Sequence, residues 1–183
     1  MSNVIEPHEK DGRRWFHVVV TVYGAWLPGD ARGFRTRDHR LHVEGDYKRP
    51  PPRGKYEALA KDRRASLKQP PVNIPEPLRA TIGTALRERF ERRGAFVVCQ
   101  SVSTRHCHLL VKLPPGRAKL HVGDAKRHAW FIARVRGWKA RLWAAGCKAL
   151  PVKDRRHHLN IYHYILAHAA EGAWVWKWTR PKR

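Results

Sequence analysis

The chain predicts an α+β fold of the ferredoxin-like kind: an antiparallel sheet with helices on one face, followed by a further helix near the C-terminus. Three observations carry this. Short apolar runs and helical periodicities alternate in the order β-α-β-β-α-β. Two of those runs are separated only by Thr104-Arg105, as in a tight hairpin. No self-similarity recurs at the periods of solenoids or propellers.

Trp15 to Tyr23 is dense in β-branched and aromatic residues and stops at Gly24, which reads as a central strand. A polar, proline-rich stretch follows from about 27 to 75, including Pro50-Pro51-Pro52 and Pro70-Pro71. It reads as a functional loop or mobile insertion, with a short helix near Tyr56 to Leu67. Pro77 suits a first helical turn, and Leu78, Ile82, Leu86 and Phe90 recur every four residues before Gly94, giving an amphipathic helix. Ala95 to Ser103 and His106 to Leu113 then form the hairpin strands.

From about Asp124 to Ala145 the expected helix packs Phe131, Val135, Trp138 and Leu142 inward. Arg127, Arg134 and Arg141 recur every seven residues on another flank, and Gly146 is its stop. Lys148 to Arg156 reads as a strand, His158 to Ala170 as a helix, and Trp174 to Thr179 as a terminal strand. Trp174, Trp176 and Trp178 would share one face of that strand, covering the core in preference to stacking on bases.

At 183 residues there is room for one substantial core. The organisation expected is a polar N-terminal segment 1–14, a single domain 15–178 carrying the insertion 27–75, and a basic tail 179–183. Lys and Arg number 38 against 15 Asp and Glu, a net charge of +23, spread along the whole chain. Polyanions are the default partner of such a chain, because neutralising each phosphate releases counterions. Nucleic acid fits best. No apolar run approaches the roughly 18 residues of a membrane span, and the N-terminus is polar, so no membrane partner is expected. Cys99, Cys107 and Cys147 lack disulfide or metal spacing, which suits a reducing compartment; a cytoplasmic, nucleoid-associated location is expected.

Two short stretches carry chemistry. In Arg105-His106-Cys107-His108-Leu109, the histidines are two apart and project together from a strand. Alone, the pair suits either metal ligands or buried histidines bonded to backbone. No Glu follows as in a cupin, and the Glu and Cys-x-x-Cys of a zinc deaminase are missing. In Tyr162-His163-Tyr164-Ile165-Leu166-Ala167-His168, Tyr164 and His168 are four apart and share a helix face. His168 would add a third imidazole and Tyr164 a nucleophile; a core-packed ring is the plainer alternative for Tyr164. Tyr162 lies roughly 200° around the helix from Tyr164, so both rings cannot face one metal. His157 and His158 read as a solvated or phosphate-contacting turn, and His17 as a core-edge residue in preference to one bordering the site.

The His106-Cys107-His108 strand, the Tyr164 helix, the opening strand running into Tyr23-Gly24-Ala25-Trp26-Leu27-Pro28-Gly29-Asp30 and the element order together resemble the IS200-like single-tyrosine transposases. The stand-alone, REP-associated or domesticated branch is the most similar. The likeness covers about Trp15 to Ala170. It implies an HUH endonuclease and strand transferase acting on single-stranded or hairpin DNA. His106 and His108 would be metal ligands, and Tyr164 would become joined to a 5′ phosphate. The resemblance also implies Mg²⁺ or Mn²⁺, and either a homodimer or a monomer. His168 falls where family members carry an amide ligand, and Ala167-His168-Ala169 replaces an Asn-Pro of the REP-associated branch. Imidazole in place of an amide would shift metal preference toward softer ions. Arg127, Arg134, Arg141, Lys177, Arg180, Lys182 and Arg183 are the expected contacts to the DNA backbone. The alternative from another class is a non-catalytic DNA- or RNA-binding protein of the same fold.

Overall fold

A computed structural model describes residues 12–31, 34, 52–114 and 116–180. Residues 1–11, Pro50, Pro51, Lys182 and Arg183 lie outside the described residues, as does most of the insertion before Pro52.

Five strands form one antiparallel sheet: β1 Arg14–Thr21, β2 Phe96–Val102, β3 His106–Leu113, β4 Lys148–Pro151 and β5 Trp174–Lys177. Their order is β4-β1-β3-β2-β5. The first four strands have the ferredoxin-like order, with β5 added beside β2. Four α-helices accompany them: α1 Glu57–Ala65, α2 Glu76–Arg92, α3 Ala118–Val135 and α4 Arg155–Ala167, the last running into a 3₁₀ turn at His168–Glu171.

Strand alternation divides the side chains between two faces. Cys107, Leu109, Val111 and Leu113 of β3 join Val18 and Val20 of β1 against α2 and α3 in the larger core. Leu110 joins Trp15, Val98 and Cys99 against Ile161 and Ile165 of α4 on the other face. Burying each of those isoleucines contributes about 1.5–3 kcal/mol. That burial docks α4 and thereby fixes what its neighbouring residues face.

Helix α3 differs from expectation. It begins earlier and ends at Val135, with Gly137 beyond it at φ 90°. Its buried stripe is Ala118, Val122, Ala125, Ala129 and Ala133, while Phe131 and Val135 are exposed. Small residues let the helix lie close to its neighbours, so bulk was a poor guide to the inward face. Leu142 is buried from the loop that follows, and Arg141 is likewise in that loop. Strand β4 is four residues long, and α4 starts at Arg155, where Asp154 caps it by accepting from the His157 amide at 2.7 Å.

The tryptophans also depart from one shared face. Trp174 and Trp176 pack against the larger core, but Trp178 meets Phe96 edge-on, and Phe96 belongs to the α4 side. The last part of the insertion is ordered packing: Val72 and Ile74 are buried, and their amides donate to the carbonyls of Tyr23 and Thr104. This strap ties the turn after β1 to the turn between β2 and β3. Gly24, at φ 73°, leaves room for it, since a Cβ there would meet Pro71 Cα at 2.8 Å.

Gly83 on α2 serves a similar purpose for β5: a Cβ would fall 2.1 Å from Trp174 Cζ3. Replacing a helical Gly by Ala gains up to about 1 kcal/mol of propensity, whereas overpacking costs about 1–3. Gly83→Ala is therefore expected to be net destabilising, read as a lower denaturation midpoint with an unchanged m-value.

Candidate metal and nucleophile site

The β2–β3 turn end of the sheet gathers the histidines. His106 and His108 project from β3 with ring centroids 4.7 Å apart, and His168, at the end of α4, sits 4.8 Å from His108 and 5.7 Å from His106. One ligand atom from each of the three lies within 4.8 Å of the others. Ligand bonds of about 2.1 Å at the tetrahedral angle place coordinating nitrogens about 3.4 Å apart. A pair at the 4.8 Å limit would close by about 1.4 Å on holding an ion.

Hydrogen bonds select which nitrogens face inward. His168 Nδ1 is 2.8 Å from the Tyr164 carbonyl oxygen, which can only accept, so Nδ1 carries the proton and Nε2 keeps its lone pair. His108 Nδ1 is 2.9 Å from His17 Nε2, leaving His108 Nε2 for the cluster. Ser101, the cross-strand partner of His108, adds a buried hydroxyl with no hydrogen-bond partner on the same face. Imidazoles converging beside an orphaned polar atom fit a divalent transition ion. They fit Mg²⁺ less well, since it prefers oxygen donors.

Tyr164 is half exposed and its ring meets His168 at 4.7 Å, His108 at 5.3 Å and His17 at 6.0 Å between centroids, each edge-on. With His17, Asn160 and Ile161 it lines an open cleft of about 540 Å³. Tyr162 points elsewhere, into the smaller core. His158 is buried edge-on against Trp15, outside the cluster.

Burial holds His108 and His17 neutral. His108 is pushed down to about 2, first by desolvation and then by His106, His17 and His168. His17 is lowered to about 4 by desolvation, with His157 and His168 adding to it. Both groups bind protons more readily unfolded than folded. Their contribution is complete above pH about 6.5 and is lost as pH falls toward 4 and below. With chelator present, the melting temperature is expected to fall steadily from pH 6.5 to 4, and His17→Phe to flatten that slope.

The anticipated DNA contacts scatter. Arg127 and Arg134 are exposed on α3, across the sheet from the histidines, with Arg134 over the Trp130 ring at 5.1 Å. Arg141 lies over Tyr23 at 5.1 Å and bonds through its backbone to Gln69, at the end of the sheet where β1 stops. Arg127 and Arg141 line a cleft of about 470 Å³ with Lys126, Trp130 and Trp143. Lys177 and Arg180 are exposed along and beyond β5.

Sequence reasoning passed over Arg105 and Arg79. Arg105, adjoining His106, donates to Asn73, and Arg79 donates to Thr104 Oγ1 and the Gly172 carbonyl. Arg105 was marked only by its place beside His106, and nothing local in the sequence marked Arg79. The role of His17 as partner of His108 was also missed.

No protein-family model and no curated protein matches the chain. Among solved structures, a REP-associated tyrosine transposase bound to a REP hairpin is similar, with a TM-score of 0.45 and 13% identity over 94% of this chain and 75% of that one. At that distance the likeness transfers no residue role. Among the described residues, no helix is long and apolar enough to cross a membrane.

Proposed function

We propose that the protein is a metal-dependent endonuclease and strand transferase for single-stranded, hairpin-bearing DNA, with Tyr164 as nucleophile. The observation that carries this reading is the half-exposed Tyr164 ring packed edge-on against His108 and His168 of a three-imidazole cluster. A structural tyrosine would gain more from burial than from standing over polar rings at the mouth of a cleft.

The Tyr164 phenol, whose ordinary pKa is about 10, gives up its proton as its oxygen attacks the phosphorus. The bond to the 3′ oxygen breaks and that oxygen takes up one proton, through solvent, for the one the phenol releases, leaving a 3′ hydroxyl and a 5′ phosphate joined to tyrosine. A divalent ion held by His106, His108 and His168 would polarise the phosphoryl oxygen and offset developing charge. Transfer follows when another 3′ hydroxyl attacks the phosphotyrosine. A net charge of +23 supports a polyanionic substrate, with Arg127, Arg134, Arg141, Lys177 and Arg180 as backbone contacts and the basic end of the tail adding to them.

The test is incubation with end-labelled hairpin DNA taken from the sequence flanking the gene, plus divalent ion, on a denaturing gel that retains protein–DNA adducts. An adduct abolished by chelator supports the reading. Tight binding without any adduct assigns the protein to the non-catalytic alternative, and cleavage without attachment assigns the attack to water. Arg127→Ala and Arg141→Ala are each expected to weaken binding across sequences and to reduce the slope of log K against log salt by about 1, measured by fluorescence anisotropy.

A further inference from the structure

We propose that the histidine cluster is an all-nitrogen centre selective for a nitrogen-preferring divalent ion of the Co²⁺, Ni²⁺ or Zn²⁺ class over Mg²⁺, and that His17 is its positioning residue. This rests on reading the cluster as a metal site.

The donor set favours nitrogen-preferring ions. Among the described residues, the one group of histidine, cysteine and acidic side chains close enough to hold an ion consists of three imidazoles and no carboxylate. Mg²⁺ is bound through oxygen and gives up its waters reluctantly, whereas imidazole suits the later first-row ions.

The tautomer of His108 also depends on His17. Two neutral imidazoles share one hydrogen bond at 2.9 Å, and only one of them can donate. If His17 Nε2 donates, His108 carries its own proton on Nε2 and has no lone pair for an ion. If His17 Nε2 accepts, the His108 proton sits on Nδ1 and Nε2 is available. His17 therefore decides whether His108 is a ligand, in the way outer partners fix ligating histidines elsewhere. His168 needs no such partner side chain, because the Tyr164 carbonyl already fixes its tautomer. His17 is the diagonal neighbour of His108 across β1 and β3, where it pairs with Leu110 while His108 pairs with Val19.

The probe is Co²⁺ added to the full chain, followed by its visible d–d absorption and by competition with Mg²⁺. Wild type is expected to show one Co²⁺ site that a hundredfold excess of Mg²⁺ leaves filled. His17→Phe, which keeps a ring against Tyr164, is expected to weaken Co²⁺ binding by about 10–100-fold, and His17→Gln, which restores an acceptor, to recover most of it. His168→Asn, which introduces an oxygen donor, is expected to narrow the preference for Co²⁺ over Mg²⁺. Displacement of Co²⁺ by comparable Mg²⁺, or wild-type affinity in His17→Phe, overturns the proposal. So does Co²⁺ binding that survives loss of both His106 and His108, which would also remove the metal site from the proposed function. A Tyr164-linked adduct supported by Mg²⁺ alone would overturn the selectivity while leaving that function standing.

Discussion

Tyr164→Phe is expected to eliminate the covalent DNA adduct while leaving hairpin affinity within about twofold of wild type. Phenylalanine preserves the ring that packs on His108 and His168 and removes only the oxygen. Adduct formation therefore has no remaining nucleophile, whereas binding rests on a charge of +23 that the substitution does not touch. Half exposure of the side chain also keeps the stability change small, within about 0.5 kcal/mol. Removal of one atom should thus separate chemistry from binding, which a residue acting through the fold would not do. Adduct yield on denaturing gels and anisotropy with the same hairpin measure the two quantities in one preparation.

The second large effect is expected from the pair His106→Ala and His108→Ala. Two of three ligands are lost, so Co²⁺ affinity measured by calorimetry should fall by at least about a hundredfold, and the adduct should disappear at any metal concentration the protein tolerates. Thermal behaviour gives a second readout. Wild type should gain melting temperature with added ion in proportion to the logarithm of its concentration, and the double variant should show no such gain. Without metal the variant is not expected to unfold, since His108 is held neutral at neutral pH and its replacement leaves no uncompensated buried charge. Its partner His17 loses one hydrogen bond, worth about 1 kcal/mol.

How much of this was legible in the sequence follows from the range of each interaction. His106 with His108 and Tyr164 with His168 are pairs fixed by the period of their own element, and the structure brings all four rings together. The element order was equally readable, because each strand and helix carries its own apolar period. What the sequence concealed was register between elements. His17 meets His108 only because β1 and β3 align Val19 with His108, and no local pattern encodes that alignment. In α3 the period was visible but the wrong stripe was bulky: Phe131 and Val135 face outward while alanines pack inward. Arg141 continues the seven-residue arginine spacing, yet Gly137 ends the helix before it. The strap through Val72 and Ile74 looked like part of a polar insertion because prolines surround two residues that the core needs.

The most direct measurement is the mass of the protein after reaction with the flanking hairpin DNA, followed by trypsin and nuclease treatment. Cleavage after Arg156 and Lys177 releases one peptide that holds both Tyr162 and Tyr164. The expected result is that peptide carrying a residual phosphonucleotide, with fragment ions assigning the mass to Tyr164 and none of it formed when chelator is present. Attachment at Tyr162, attachment on any other peptide, or scission of the DNA with every peptide unmodified would contradict the account.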